Sequence, residues 1–323
     1  MRAKLLYDTK PGSFMIDIFL KALPFFALIA LGYGATRCKF LGADEIKGLT
    51  RFVFYFALSA LIFRFAANLP LSEIFETQLA AGYLFGGVAV YTVTWGVAKL
   101  RKQSGDVAAI EAQCAAVGNM GYMGLPLLAL LLGEAAIGPT ILMLAIDLVV
   151  FASLLVILVT ANKEQVALGP ALANVAKGLA KNPMIVSILA GLAVSATGTG
   201  LPPVPDQFFE ILAGAASPCA LFLIGASLAD KSAERIEVAL WLSFAKLILH
   251  PIFVAIGVLW LFSPSPYAAA VAISGASLPV AGNVYILAAH YGVAPQRVSA
   301  SILFSTIFSV FTISAIVSIV MPG

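Results

Sequence analysis

The sequence predicts an all-α polytopic membrane protein: ten transmembrane helices arranged as two inverted five-helix repeats, with the fourth and ninth helices broken. Three observations predict it. The 323 residues are 61% hydrophobic and only 11% charged, where soluble domains carry about 25% charged residues, and the mean hydropathy is +1.00. The apolar residues gather into runs of roughly 20, the length that crosses a bilayer's hydrocarbon as a helix. Two of these runs, in corresponding halves of the chain, are interrupted by glycine, proline and asparagine.

The ten runs fall near 15–36, 47–68, 77–98, 107–131, 137–161, 183–199, 207–229, 237–262, 266–289 and 298–321. Hydrocarbon offers backbone groups no hydrogen-bond partner, so continuous runs of this kind are read as helices. The first run, with its basic start and "ALPFFALIALGYGA", could be a cleaved leader. Its apolar stretch is long for one, and Asp17 and Lys21 suit the interfacial end of a retained helix.

Orientation follows from the basic residues. One set of loops and helix ends carries Arg37, Lys39, Lys47, Arg51, Lys99, Arg101, Lys102, Lys163, Lys177, Lys181, Lys231, Arg235 and Arg297. The other side holds Arg2, Lys4 and Lys10, all in the N-terminal tail. The larger set belongs in the cytoplasm, so both termini are expected outside a bacterial inner membrane.

Two repeats emerge from paired motifs. "LSALIFRFAANL" at 58–69 resembles "SPCALFLIGASLA" at 217–229, and "GNMGYMGLPLL" at 118–128 has a partner in "GASLPVAGNVYIL" at 275–287. The expected organisation is a first repeat over 1–161, a connecting loop over 162–182 and a second repeat over 183–323. Five is odd, so the second repeat is inverted relative to the first. Inverted repeats with a broken helix in matching positions point to the binding site of a secondary transporter.

Chemistry explains the breaks. Pro126 and Pro279 lack an N–H, and their rings clash with the carbonyls of Tyr122 and Gly275. Gly118, Gly121 and Gly282 ease unwinding and close approach. The freed backbone groups have to face protein or a polar cavity, together with the amides of Asn119 and Asn283. Each proline also suits the first turn of a new half-helix, whose positive N-terminal end favours an anion. The plainer reading is that glycine and proline are common in membrane helices and serve as kinks; the matched positions favour the site.

At this point the residues resemble a family. "GNMGYMGLPLL" with "ASLPVAGNVYILAAHYGVAPQRVSASILFSTIFSVFT" (276–312) is similar to the auxin efflux carriers in their short prokaryotic form. The opening "FFALIALGYGATRCKFLGADEIKGLTRFVFYFALSALIF" (25–63) also fits. Ser59 departs from the pattern, which has a proline in the second helix; Pro218 keeps it in the seventh. The resemblance implies that helices 4 and 9 cross, that helices 1, 2, 6 and 7 form a scaffold and that the others form a mobile transport domain. It implies an organic anion as substrate, a dicarboxylate such as malate or malonate or an auxin-like carboxylate. Asn119, Pro126, Pro279 and Asn283 carry over as site residues, and helices 2 and 7 suggest a homodimer.

Charges deep in the membrane are functional candidates by default. Asp147 lies about ten residues into the fifth run, ~15 Å along the helix. Lys246 and His250 lie one turn apart in the eighth. They are expected either as a structural Asp147–Lys246 ion pair or as coupling and charge-compensating groups, Asp147 or His250 carrying a proton and Lys246 facing a carboxylate. Arg64 is expected to snorkel near the outer end of its helix or to attract an anion there, and Glu111 to act as an interfacial anchor.

Other classes lack their residues. Asp147 has no deep acidic partner, and no serine sits in a "GxSxG" elbow, against an intramembrane enzyme. Neither a nucleotide-binding motif nor a ring of charges supports an ATP-driven permease subunit or a passive channel. The net charge of +3 gives no basis for nucleic acid. Cys38, Cys114 and Cys219 are too scattered for metal ligation, and they read as small buried hydrophobes. No cofactor is expected; the partners are the lipid bilayer and a small anion.

Overall fold

The computed structural model describes residues 11–70, 76–164, 168–229 and 236–320. Arg2, Lys4, Lys10, Lys231 and Arg235 of the charge comparison lie outside them. Among the described residues the chain is helical, with a single isolated bridge in place of any sheet.

The helices are α1 (Pro11–Arg37), α2 (Ala43–Asn68), α3 (Thr77–Leu100), α4 (Gly105–Ala116), α5 (Met120–Leu132), α6 (Glu134–Val159) and α7 (Leu168–Lys181). They continue as α8 (Pro183–Ser195), α9 (Pro203–Ala229), α10 (Ile236–Leu261), α11 (Pro266–Ala276), α12 (Gly282–Tyr291) and α13 (Pro295–Val320). Among the described residues, seven helices are long and apolar enough to span a membrane, or eight if α7 and α8, bent by 69° at their junction, count as one span. The sharp bend falls where Asn182 caps α8, its side chain accepting from the Met184 N–H at 3.0 Å, with Pro183 at the first helical position. Most of the connector expected over 162–182 is therefore helical.

The helices pack as apolar cylinders whose outer side chains need no water. Trp260, Ile319, Phe311 and Leu189 are exposed on the outside, as a lipid-facing surface requires. Between helices, small residues set the spacing. α1 and α9 cross at Gly32 and Gly225: a Cβ at Gly32 would strike the Phe222 carbonyl, and one at Gly225 the Ile29 carbonyl. α8 and α9 pack along α2, while α3 packs along α4 and α10, and α13 along α10.

Several helices are not uniform. A π-helical turn, with one residue too many for α spacing, occurs at Val53–Ala57, Met120–Gly124, Asp147–Phe151, Ala245–Leu249 and Gly257–Leu261. Such bulges often mark functional positions. Here one begins at Asp147 and another contains Lys246.

Candidate functional site at the paired interruptions

The two interrupted runs meet. α4 ends at Ala116 and the chain turns extended at Val117, while α11 ends at Ala276 and α12 starts only at Gly282. The intervening segments pair antiparallel through Gly118 and Val280. The Asn119 N–H donates to the Pro279 carbonyl at 2.9 Å, and the Ala281 N–H to the Val117 carbonyl at 3.2 Å. Side chains take the remaining donors: the Gly118 N–H reaches Asp147 Oδ2 at 3.3 Å, and the Val280 N–H reaches Ser305 Oγ at 3.1 Å. The N–H groups of Gly118, Asn119, Val280 and Ala281 thus find partners inside the protein, as hydrocarbon demands.

The deep charges serve the same place, one on each interruption. Asp147 is buried and also accepts from the Tyr83 hydroxyl at 3.0 Å. Lys246 is buried, donates to the Ala276 carbonyl at 2.7 Å and lies within hydrogen-bond distance, 2.7 Å, of His250 Nδ1. Asp147 therefore sits beside the segment that leads into α5, and Lys246 at the carbonyl end of α11, the signs that helix dipoles favour. The expected direct ion pair between them is absent among the described residues. The backbone of Gly118 intervenes, bonded to Asp147 and so close to Lys246 that an added Cβ would lie 3.2 Å from Nζ. Nε2 of His250 has no partner among the described residues.

The prolines differ from the expected placement. Neither opens its half-helix. α5 resumes at Met120 as a π-helical turn, and Pro126 follows at the start of its α-helical part. Pro279 lies in the extended segment, where its carbonyl is a bridge acceptor and its missing N–H costs nothing.

Two cavities lie along the half-helices that follow this pairing, one on α12 and one on α5. One, of about 560 Å³, is lined by Phe54, Leu148, Met184, Asn283 and His290 among others. The second, about 290 Å³, is lined by Leu61, Arg64, Phe65, Pro126 and Glu210 among others. α2 borders both, and its buried Leu58 lies between them in sequence, near Gly121, whose added Cβ would meet Leu58, Met184 and Leu144 at 3.6–3.8 Å. Gly282 has open space where a Cβ would stand. The expected sharing of one cavity by two amides is not seen. Asn283 faces the larger cavity with a buried Oδ1 that has no partner among the described residues. Asn119 is 4% exposed, within the paired segment, and outside that cavity's lining.

Two other charges have partners that the sequence does not name, and for Glu111 this corrects the expectation. Arg64 grips Asp206 with two hydrogen bonds, at 2.9 and 3.0 Å, and lies 3.6 Å from Glu210, tying α2 to α9. Glu111 is 0% exposed and is no interfacial anchor: its carboxylate holds Arg101 and, at 2.6 Å, Arg297. This clamp joins α4 to the turn that follows α3 and to α13. The sequence alone does not single out Tyr83, Ser305 or the arginine clamp. A hydroxyl inside an apolar helix carries no periodic signal, and Arg101 and Arg297 look like ordinary loop cations.

Comparison with known proteins identifies the family. A "Putative malonate transporter" of Rhizobium meliloti (strain 1021) is 32% identical over 318 residues, covering 96% of this chain and 98% of that protein. The "Uncharacterized transporter YfdV" of Escherichia coli (strain K12) is 25% identical over 304 residues, covering 92% and 96%. The family model described as membrane transport protein matches residues 17–317. With most of its length matched, the chain belongs to the membrane transport protein family, the auxin efflux carrier-like group that its broken-helix motifs resemble, and is a transporter rather than an enzyme.

Proposed function

We propose that this protein is a secondary carrier that moves a small organic anion across the bacterial inner membrane by alternating access around the paired interruptions. The observation that carries the reading is the Gly118–Val280 pairing, with one cavity lined by the half-helix α12 and a separate one by the half-helix α5. Closed backbone pairing keeps the crossing rigid, while separate cavities are what a site that opens to one side at a time requires. Asn283, Asn119, Gly118, Gly121, Gly282, Pro126 and Pro279 form the substrate region in this reading. The name of the Rhizobium relative supports a short dicarboxylate such as malonate.

In the same reading the chain has ten spans, α4 with α5 and α11 with α12 each making one broken span. Residues 1–161 and 183–323 are inverted repeats, and both termini face outward. α1, α2, α8 and α9 form the scaffold, and a second copy docks on α2 and α9. Asp147 and Lys246 hold the crossing; their hydrogen bonds to Gly118 and Ala276 support that over proton coupling.

Counterflow in proteoliposomes tests the function. With no ATP present, unlabelled malonate trapped inside should drive uptake of labelled malonate, with malate, succinate and indole acetate as competitors. Absence of saturable exchange for all four acids overturns the proposal.

A further inference from the structure

A carrier's cavity needs a group that meets the substrate before its central site does. α12 supplies one candidate by geometry. Asn283, Ile286, Leu287 and His290 line the larger cavity at positions i, i+3, i+4 and i+7, a single face of the helix. Asn283 adjoins the crossing, and His290 is two turns on, about 10 Å along the axis at ~1.5 Å per residue. His290 is exposed, so it stands at the mouth. No lysine or arginine is among the residues lining this cavity, and the rest of the lining is mostly aliphatic. Its ring packs edge-on against Tyr291, with centroids 4.9 Å apart, which limits the directions the imidazole can take.

The surroundings favour an anion. Across the cavity, α7 contributes Val175, Gly178 and Leu179 to the wall, and exposed Lys177 and Lys181 flank them. On the elements packed against α12, Arg297 of α13 and Glu111 of α4 bind each other, and α4 also carries Asp106 in its first turn. The positive groups nearby therefore outnumber the carboxylates, while the wall itself offers an anion only neutral donors and one histidine.

We propose that His290 is a receiving residue for the substrate anion at the mouth of the larger cavity, from which the anion passes to Asn283; this rests on the carrier reading above. An imidazole donates a hydrogen bond to a carboxylate in either protonation state and adds charge when protonated. An acid as short as malonate cannot span ~10 Å, so it would meet the two residues in turn. His290 should then govern capture from one face and not the crossing step.

The test is malonate exchange in proteoliposomes of defined orientation, with substrate varied on each face in turn. His290→Ala should raise the half-saturating concentration about tenfold on the face onto which this cavity opens, the effect of one charge-assisted hydrogen bond. Half-saturation on the other face and the maximum rate should stay within about twofold. His290→Gln, which retains an N–H donor, should recover most of the loss and guards against a folding defect in the alanine variant. Unchanged half-saturation on both faces, an equal rise on both, or loss confined to the maximum rate overturns the proposal. Asn283→Ala in the same vesicles separates the failures. If it abolishes exchange while His290→Ala does nothing, only the His290 assignment falls; if the wild type exchanges no acid, the carrier reading falls and takes this one with it.

Discussion

Lys246→Met is the most informative single change in the buried charge system. It removes the donor to the Ala276 carbonyl at 2.7 Å and the hydrogen-bond partner of His250 Nδ1 at 2.7 Å. It also leaves Asp147 as a buried carboxylate with its nearest deep cation gone. Removing one member of a buried charge pair costs about 3–5 kcal/mol, and a similar loss is expected here although Gly118 separates the two charges. Asp147→Asn keeps an acceptor for Tyr83 but cannot accept from Gly118 without turning its NH2 toward the hydroxyl. One hydrogen bond to a charged group is lost, about 1.5–3 kcal/mol. The double variant Asp147→Asn with Lys246→Met has no uncompensated charge and should be less destabilised than the sum of the singles by about 1–2 kcal/mol, the scale of coupling between interacting sites. Thermal melts in one detergent at one scan rate give the three midpoints, and counterflow at two pH values gives transport. Strictly additive losses would refute the electrostatic linkage across Gly118. A stable Asp147→Asn variant that exchanges malonate but no longer responds to a pH gradient would instead establish Asp147 as a coupling residue.

Asn283→Ala should abolish malonate exchange and leave a folded, monodisperse protein, because its Oδ1 bonds to nothing described here; full exchange would remove it from the site. Asn119→Ala should impair exchange through the crossing itself, with a small drop in melting midpoint, and wild-type behaviour in both measurements would exclude it. Glu111→Gln, which leaves Arg101 and Arg297 without a counter-charge, should destabilise by about 3–5 kcal/mol; an unshifted melt refutes the clamp. Gly225→Val should prevent α1 and α9 from reaching their present spacing and give aggregated protein on size exclusion, whereas a monodisperse sample would show that the contact can relax.

Much of this was readable beforehand because hydrocarbon is an unforgiving solvent. A helix broken by glycine and proline at membrane depth has to pair its amides, so "GNMGYMGLPLL" and "GASLPVAGNVYIL" mark the two interruptions that pair, without any likeness to other proteins. What pairs with what was not readable. Periodicity says that Asp147 and Lys246 are deep, but not that a glycine backbone stands between them, since that depends on how two segments 162 positions apart are threaded (280 − 118). The prolines misled for a related reason. Pro126 does stand in the first turn of the α-helical part of α5, but a π-helical turn precedes it, so the half-helix begins earlier, at Met120. Glu111 misled because burial of this acid depends on arginines from the turn after α3 and from the first turn of α13.

The same pairing bears on how the protein is made. Val280 is synthesised 162 residues after Gly118, a delay of roughly 10–30 s at 5–20 residues per second. Throughout that interval the N-terminal half holds an interrupted helix whose Asn119 N–H and Val117 carbonyl have no backbone partner. Asp147 comes earlier in translation and covers Gly118, but the others wait for the second half to enter the membrane. A half-made chain is thus wet or chaperoned at its centre, and the two halves supplied as separate polypeptides should protect one another from degradation while neither persists alone.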